Sequence, residues 1–381
     1  MRSSQRKRGR AAPVDPPQAD SEAAVLLESG VFDHEFYAAQ VEGDFGSPLD
    51  AAAHYVEQGS GHRSPHPLVD LTYFTDFFVD RLKNEPAVKT LTDQLRRKSP
   101  DRALGPLFDA RKLELDRDAV RQHRGGVLGW FLEHHGEDAP LPGRPDLTLR
   151  TARPVLLAAA ERLKVERRLR HPRTRLNWPQ AREDEWRARW QGAEPPASDG
   201  PLVSVVMPVR NRAAVVGKAV ASVQAQTLQK WELLVVDDGS TDDTREVLDA
   251  IAAQDPRVRV IPQDWGGVCK ARNRGLAEAS APYVAFLDSD NAWREDFLRL
   301  AVVAMAGDGL RAAHAAQSLT DPSATPPVRY RAHAGSLDEL MITNHVDLNV
   351  LVVETALARE VGGFDESLRR WVDHDLSLIH I

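Results

Sequence analysis

Carboxylates gather at the ends of apolar runs in the second half of this 381-residue chain. "WELLVV" runs into Asp237 and Asp238, then Gly239 and Ser240. "YVAFL" runs into Asp288, Ser289 and Asp290. A third run, "LVSVVMPV", carries Pro208 and is followed by Arg210 and Asn211. One acidic residue at the end of a strand is commonly a turn former or a helix cap. Asp-x-Asp leaving a buried run is more pointed. It aims two hard oxygen donors at one place, which suits Mg2+ or Mn2+ and leaves coordination positions for phosphate oxygens. Near the C-terminus, Asp373 and Asp375 flank His374. Taken alone, that trio reads as a carboxylate cluster, a metal site or a polar terminus.

The elements that must position these groups are legible in the pattern. "LVSVVMPV", "WELLVVDD", "RVRVIPQ" and "YVAFL" are short apolar, β-branched runs suited to buried strands. Between them lie "AAVVGKAVASVQAQ", "DDTREVLDAIAAQ" and "GVCKARNRGLAEAS", which have helical periodicity. The second opens with acidic residues, where the helix dipole favours them. Strand and helix alternate, which predicts an α/β domain with a mostly parallel sheet. Ligands of such sheets sit beyond the carboxyl ends of the strands, and that is where the acidic residues fall.

Taken together, "VSVVMPVRNR", "ELLVVDDGSTDDT", "GVCKARNRGLAEASAPYVAFLDSDN" and "VGGFDESLRRWVDHDL" resemble the inverting, family 2 type of GT-A glycosyltransferase, in that family's order and spacing. The resemblance covers roughly residues 201–376. It implies the GT-A, nucleotide-diphospho-sugar transferase fold. Pro208 and Asn211 would lie in the first nucleotide-contacting loop. Asp238 would accept a hydrogen bond from the base, a pyrimidine such as uracil, with Asp237 beside it. Arg272 and Asn273 would lie near the nucleotide or its phosphates; for Arg272 a salt bridge on the helix surface is an equal reading. Asp290 would ligate Mg2+ or Mn2+ bridging the diphosphate, and Asp288 would support the ribose or the metal. Asp373 best matches the family's general base, with Val372 standing where an acidic neighbour is usual. Arg210 is a second departure: it stands where the family often has an aromatic.

The resemblance further implies a nucleotide-sugar donor, a glycan or lipid-linked glycan acceptor, and bacterial surface polysaccharide as product. A non-catalytic nucleotide-sugar-binding or scaffold protein, with an incomplete transferase domain, is the alternative from another class. Nucleotidyltransferases share a similar sheet but open with a Gly-rich loop, and "MPVRNRAAVVG" has no such glycine cluster. The family usually continues well past the base segment. The last six residues, "LSLIHI", are what one frame of a transposase adapter would encode, so a C-terminal cut near Asp375–Leu376 is expected.

The first half carries less chemistry. Residues 1–20 read as a disordered basic tail without the apolar stretch of a secretory signal. Residues 21–142 read as a helical, repeat-like region. "GVFDHEFY", "PLVDLTYF" and "GPLFDARK" place Asp33, Asp70 and Asp109 at similar intervals, and "HYVEQG" is echoed by "WFLEHHG". These segments are similar to short repeats that accompany bacterial polysaccharide glycosyltransferases, and packing or docking is the expected role. Residues 143–200 read as a basic helical connector and linker, and residues 201–381 as the transferase domain. Residues 144–190 hold 13 Arg and Lys against six Asp and Glu, followed through by Trp178, Trp186 and Trp190. A helix packed by its aromatics with a solvated basic face is expected there; peripheral contact with an anionic membrane surface is the other reading. The net charge of −7 argues against nucleic acid as a partner. The single cysteine, Cys269, is read as a packed small residue, in keeping with a reducing cytoplasm. No run approaches the ~20 apolar residues of a membrane span.

Overall fold

The computed structural model describes residues 16–57, 63–69, 103–105, 107–169, 180–320, 328–331, 339 and 346–366. The chain divides into two compact units, Met1–Val165 and Glu166–Ile381.

The first unit is mainly helical. Its elements are α1 (Pro16–Glu28), α2 (His34–Ala38), α3 (Pro48–Glu57), a small antiparallel pair β1 (Ala103–Gly105) and β2 (Phe108–Asp109), α4 (Arg117–Gln122), α5 (Gly126–His135) and the greater part of α6 (Leu149–Leu169). The basic tail was expected to run to residue 20, but α1 begins at Pro16. Proline suits a first helical position, having a preset φ and no N–H to leave unpaired. Residues 1–15 lie outside the described residues. Asp33 caps α2, accepting from the Phe36 N–H at 3.0 Å, and Asp109 caps the short turn after β2, accepting from the Arg111 N–H at 3.1 Å. Both aspartates of the "FD" segments therefore act as caps; Asp70 falls outside the described residues. Phe32, Tyr37 and Tyr55 pack as a cluster with ring centroids 5.3 to 5.6 Å apart.

Beneath this cluster lies a charged knot. Arg153 on α6 donates to both carboxylate oxygens of Asp33, at 2.6 and 2.9 Å, and to Glu35 at 2.7 Å. Burial would raise the Asp33 carboxyl, but the hydrogen bonds from Arg153 and Phe36 N–H outweigh it and hold the group below its usual range. His66 is fully buried, and its Nδ1 accepts from the Leu68 N–H. Burial, with a smaller push from Arg153 and an opposing pull from Asp33, drives this imidazole down to about 4. The folded state thus binds fewer protons at His66 than the unfolded chain between pH ~6.5 and ~4. Stability is fully present above that window and falls through it on acidification, by on the order of 3 kcal/mol. Asp33 loses its share at lower pH still. Denaturant unfolding at pH 7 and 4.5, followed by circular dichroism, should show the drop, and His66→Gln should shrink it. An equal drop in the variant would remove His66 as the cause.

The second unit begins with α7 (Gln180–Arg189) and continues as β3 (Val203–Val209), α8 (Val216–Gln224), β4 (Trp231–Asp238), α9 (Thr244–Ala252), β5 (Val258–Gln263), α10 (Val268–Glu278), β6 (Tyr283–Phe286), α11 (Phe297–Asp308), β7 (Ala312–His314), the hairpin β8 (Gln317–Thr320) and β9 (Val328–Arg331), β10 (Leu351–Glu354) and α12 (Thr355–Glu360). The six-stranded sheet has the order β5-β4-β3-β6-β10-β7. β3, β4, β5 and β6 are parallel, and β10 runs antiparallel to both β6 and β7. This is the α/β architecture with a mostly parallel sheet expected from the alternating pattern. The antiparallel β10 and the edge strand β7 are additions that the pattern did not predict.

Burial explains the central strands. Every residue of β3 is buried, as is every residue of β4 except Glu232, so both faces are covered and a continuous Val and Leu run is required. α10 lies against β3 and β4. A Cβ at Gly275 would stand 2.4 Å from Val206 Cγ1, so this glycine permits the close approach of helix and strand.

The expected connector does not stand as a separate piece. On α6, Leu149, Ala152, Leu156, Ala159, Ala160 and Leu163 are buried within the first unit. In the second unit, Arg187 of α7 pairs with Glu183 and Asp296, and Arg189 pairs with Asp308. Trp190 packs on Leu300, Val303 and Ala304 of α11. Much of the basic and aromatic character near α7 is therefore spent on packing and ion pairs; Trp186 is half-exposed, and Trp178 is outside the described residues. Among the described residues, no helix is long and apolar enough to cross a membrane.

Candidate active site

The strand order sets where a ligand fits. From β3 the chain proceeds to β4 and β5 on one side, then returns to place β6 on the other. Such a reversal opens a crevice beyond the carboxyl ends of the two central strands. Here the β3–β6 ladder ends at Val206 opposite Phe286, while the β3–β4 ladder continues to Val209 opposite Asp237. Pro208, which lacks an N–H, sits past the end of the β6 ladder.

Asn211 takes the left-handed conformation, with φ of 51°. Its N–H donates to Ser240 Oγ at 3.0 Å, and its Oδ1 accepts from the Thr241 N–H at 2.7 Å. The loops after β3 and β4 are clasped by this one residue, through its backbone N–H and its side-chain oxygen, and asparagine tolerates positive φ better than most. Asp237 is buried and accepts from the Ser240 N–H. Asp238, also buried, accepts from Gln263 Nε2 at 2.7 Å and from the N–H groups of Gly266 and Gly267, each at 2.8 Å. Its carboxylate anchors the turn that leads from β5 into α10.

On the other side of the crevice, Asp288 is held from two directions. Arg272 Nη2 donates to its Oδ1 at 2.7 Å, and Asn349 Nδ2 donates to its Oδ2 at 3.1 Å. Asn349 also accepts from the Asp288 N–H at 2.7 Å, and is itself fixed by Asp347. Of the two readings for Arg272, this geometry matches the salt bridge. The guanidinium is buried, with the Arg272 side chain 6% exposed, while the Asp288 side chain is 36% exposed. Asp290 is different: its side chain is 54% exposed, with Arg212 Nη2 3.9 Å away.

Asn273 is bonded to the segment that follows α12. Its Oδ1 accepts from the Phe364 N–H at 2.8 Å, and its Nδ2 donates to Phe364 O at 2.9 Å and Glu366 Oε1 at 3.0 Å. It therefore clamps the "GGFDE" segment onto α10. Gly363, with φ of 69°, lies so close that a Cβ would stand 2.6 Å from Asn273 Oδ1. Asp373, His374 and Asp375 lie outside the described residues.

The pattern of the sequence singled out neither Asn349 nor Trp265. Asn349 reaches Asp288 across 61 residues and has no spacing signal. Trp265 stands just before Gly266–Gly267 at the end of β5, where an aromatic beside a turn was the available clue.

An ion held here would draw on Asp290, whose carboxylate is accessible, more than on Asp288, whose oxygens already accept from Arg272 and Asn349. Among the described residues no group of three or more His, Cys, Asp or Glu forms a cage by itself. That donor set fits a hard cation completing its shell with phosphate oxygens, as Mg2+ and Mn2+ commonly do.

Residues 204–345 match the family described as Glycosyl transferase family 2. The match begins in β3 and runs through the strand ends that bear Asn211, Asp237, Asp238, Asp288 and Asp290. Over 99 residues the chain is 42% identical to the putative teichuronic acid biosynthesis glycosyltransferase TuaG of Bacillus subtilis, covering 26% of this chain and 39% of TuaG. Over 108 residues it is 37% identical to the UDP-Glc:alpha-D-GlcNAc-diphosphoundecaprenol beta-1,3-glucosyltransferase WfgD of Escherichia coli, covering 28% of this chain and 42% of WfgD. The chain thus spans less than half the length of either relative. A mannosyltransferase of Pyrobaculum calidifontis, solved with GDP-Man and Mn2+, aligns with a TM-score of 0.38 at 18% identity over 59% of this chain and 61% of its own.

Proposed function

We propose that the family 2 domain transfers a sugar from a nucleoside-diphosphate donor, UDP-linked, to a hydroxyl of a growing glycan, with inversion at the anomeric carbon. One observation carries the reading: the loops after β3, β4 and β6 bring Asn211, the Asp237–Asp238 pair and the Asp288–Asp290 pair to the carboxyl edge of one sheet, at the point where its strand order reverses. The names of TuaG and WfgD point the same way, towards teichuronic acid biosynthesis and a diphosphoundecaprenol-linked acceptor. Work on such an acceptor would place the protein in the cytoplasm at the inner face of the membrane.

Each residue has a physical task. Asn211 and Asp237 fix the shape of the first two loops. Asp290, accessible at the crevice, holds Mg2+ or Mn2+, which when bound acts as a Lewis acid on the departing diphosphate. Asp288 is oriented between Arg272 and Asn349, available to the ribose side. Asp373 is the general base. The acceptor hydroxyl gives its proton to this carboxylate as its oxygen bonds to the anomeric carbon. The bond from that carbon to the phosphate oxygen breaks, and its electron pair leaves on the nucleoside diphosphate. Attack from the face opposite the leaving group inverts the centre.

The reading is tested by calorimetry and turnover on the full chain with UDP-sugars and Mn2+. UDP binding together with UDP release on sugar transfer is expected. No binding of any nucleoside diphosphate would refute it. Binding without turnover would favour the scaffold alternative.

A further inference from the structure

The chain leaving α12 reverses sharply. Gly362 and Gly363 both take positive φ, 91° and 69°, and their N–H groups donate back to Arg359 O and Ala358 O, each at 3.0 Å. The reversal brings Phe364 against α10, where one amide takes hold of it. Asn273 Oδ1 accepts from the Phe364 N–H at 2.8 Å, and Asn273 Nδ2 donates to Phe364 O at 2.9 Å. The same Nδ2 donates to Glu366 Oε1 at 3.0 Å. An amide that both gives to and takes from one residue's backbone fixes direction as well as place, as a neighbouring strand would. Gly363 is fitted to this contact, since a Cβ there would stand 2.6 Å from Asn273 Oδ1.

Other contacts already attach the segment. Phe364 is 2% exposed, and its ring meets that of Phe286, the last residue of β6, edge-on with centroids 5.0 Å apart. Arg359 of α12 donates to the carbonyls of Leu276, Ala277 and Ala279 at the end of α10. Burial of the ring and these bonds hold α12 and Phe364 in place; what the Asn273 amide adds is direction. We propose that Asn273 is a positioning residue for sugar transfer, setting the course of the chain from Phe364 towards Asp373 and hence the aim of the general base at the acceptor hydroxyl. The inference rests on the transferase reading above and deepens it. Asp373 follows Glu366 by seven residues, a span short enough for the setting of Phe364 to bias where its carboxylate falls. Rate is sensitive to such aim: a misplacement of about 1 Å can cost on the order of 10²-fold.

The test separates aim from donor binding and from folding. Turnover of the full chain is followed as UDP release from UDP-glucose, UDP-galactose and UDP-GlcNAc with Mn2+, water taking the acceptor's place. Calorimetry gives UDP affinity, and amide hydrogen exchange follows residues 361–366. Asn273→Ala should lower kcat by on the order of 10²-fold while donor KM, UDP affinity and melting temperature stay near the wild type's. Exchange at Phe364 should quicken while α12 keeps its protection. Asn273→Asp keeps the acceptor for the Phe364 N–H but turns an oxygen towards Phe364 O and Glu366, so it should be at least as slow; it decides the matter if the alanine variant does not fold. Gly363→Ala should cost less in the Asn273→Ala background than in the wild type, because the oxygen it crowds is gone. An unchanged kcat in Asn273→Ala overturns the inference and leaves the transferase reading standing. So does a loss of UDP affinity that matches the loss of kcat, which would place Asn273 on the donor side. A wild type that binds UDP and releases none from these donors overturns both.

Discussion

Asp290→Ala should lower metal-stimulated sugar transfer by roughly 10³-fold, the scale of several kcal/mol of lost charge stabilisation at the departing diphosphate. The fold should hardly notice. The Asp290 side chain is 54% exposed and its one ion-pair neighbour, Arg212, lies at 3.9 Å. An exposed pair of that kind contributes at most about 1 kcal/mol. Asp288 is the poorer substitute, because each of its oxygens already accepts a hydrogen bond, from Arg272 or Asn349. For the same reason Asp288→Ala is the poorer experiment: it would strand a buried guanidinium whose Nε already lacks a hydrogen-bond partner. The decisive readout is binding. Mn2+ should tighten UDP binding by the wild type and have little effect on UDP binding by Asp290→Ala, with melting temperatures alike. If Mn2+ tightens UDP equally in both, Asp290 is not the ligand.

Asp373→Asn should reduce transfer by about 10² to 10⁴, the usual range for losing a positioned general base, with UDP affinity unchanged. The amide has the carboxylate's shape but cannot take the acceptor's proton. The role comes from the sequence, while the structure describes the approach to it. Asn273 grips Phe364 by both its N–H and its carbonyl, and Arg272, the preceding residue on α10, lays its guanidinium 5.5 Å from the Phe364 ring centroid. Neighbouring residues of one helix thus hold Asp288 and the segment that leads towards Asp373. Sugar transfer and UDP affinity are measured side by side. Full transfer by Asp373→Asn would exclude it as the base, and a parallel loss of UDP affinity would place it on the donor side instead.

Both predictions start from features that local sequence encodes. A run such as "WELLVVDDGS" states its own conformation: unbroken Val and Leu demand a strand buried on both faces, and Asp with Gly ends it in a turn. Successive runs of this type, separated by helical periods, dictate a parallel sheet and put their polar ends on one edge. Asp33 and Asp109 stood out in the sequence only by their interval in the repeat; that both act as caps came from the structure. The expected connector over residues 143–200 was harder to place. Helical propensity is visible in the chain, but which core a helix joins depends on partners far away, such as Asp33 for Arg153 and Asp296 for Arg187.

The sequence by itself determined the alternating architecture, the edge of the sheet where chemistry gathers, and the carboxylates that populate it. Only the tertiary structure decided what each of those groups faces. Asp288 meets Asn349 from 61 residues away, Asn273 meets Phe364 from 91, and Asp238 turns towards Gly266 and Gly267 rather than outward. The physical reason is range. Strand and helix periods arise from neighbours within a few residues, whereas the partner of a charged or amide side chain is whatever donor or acceptor folding delivers within about 3 Å of it.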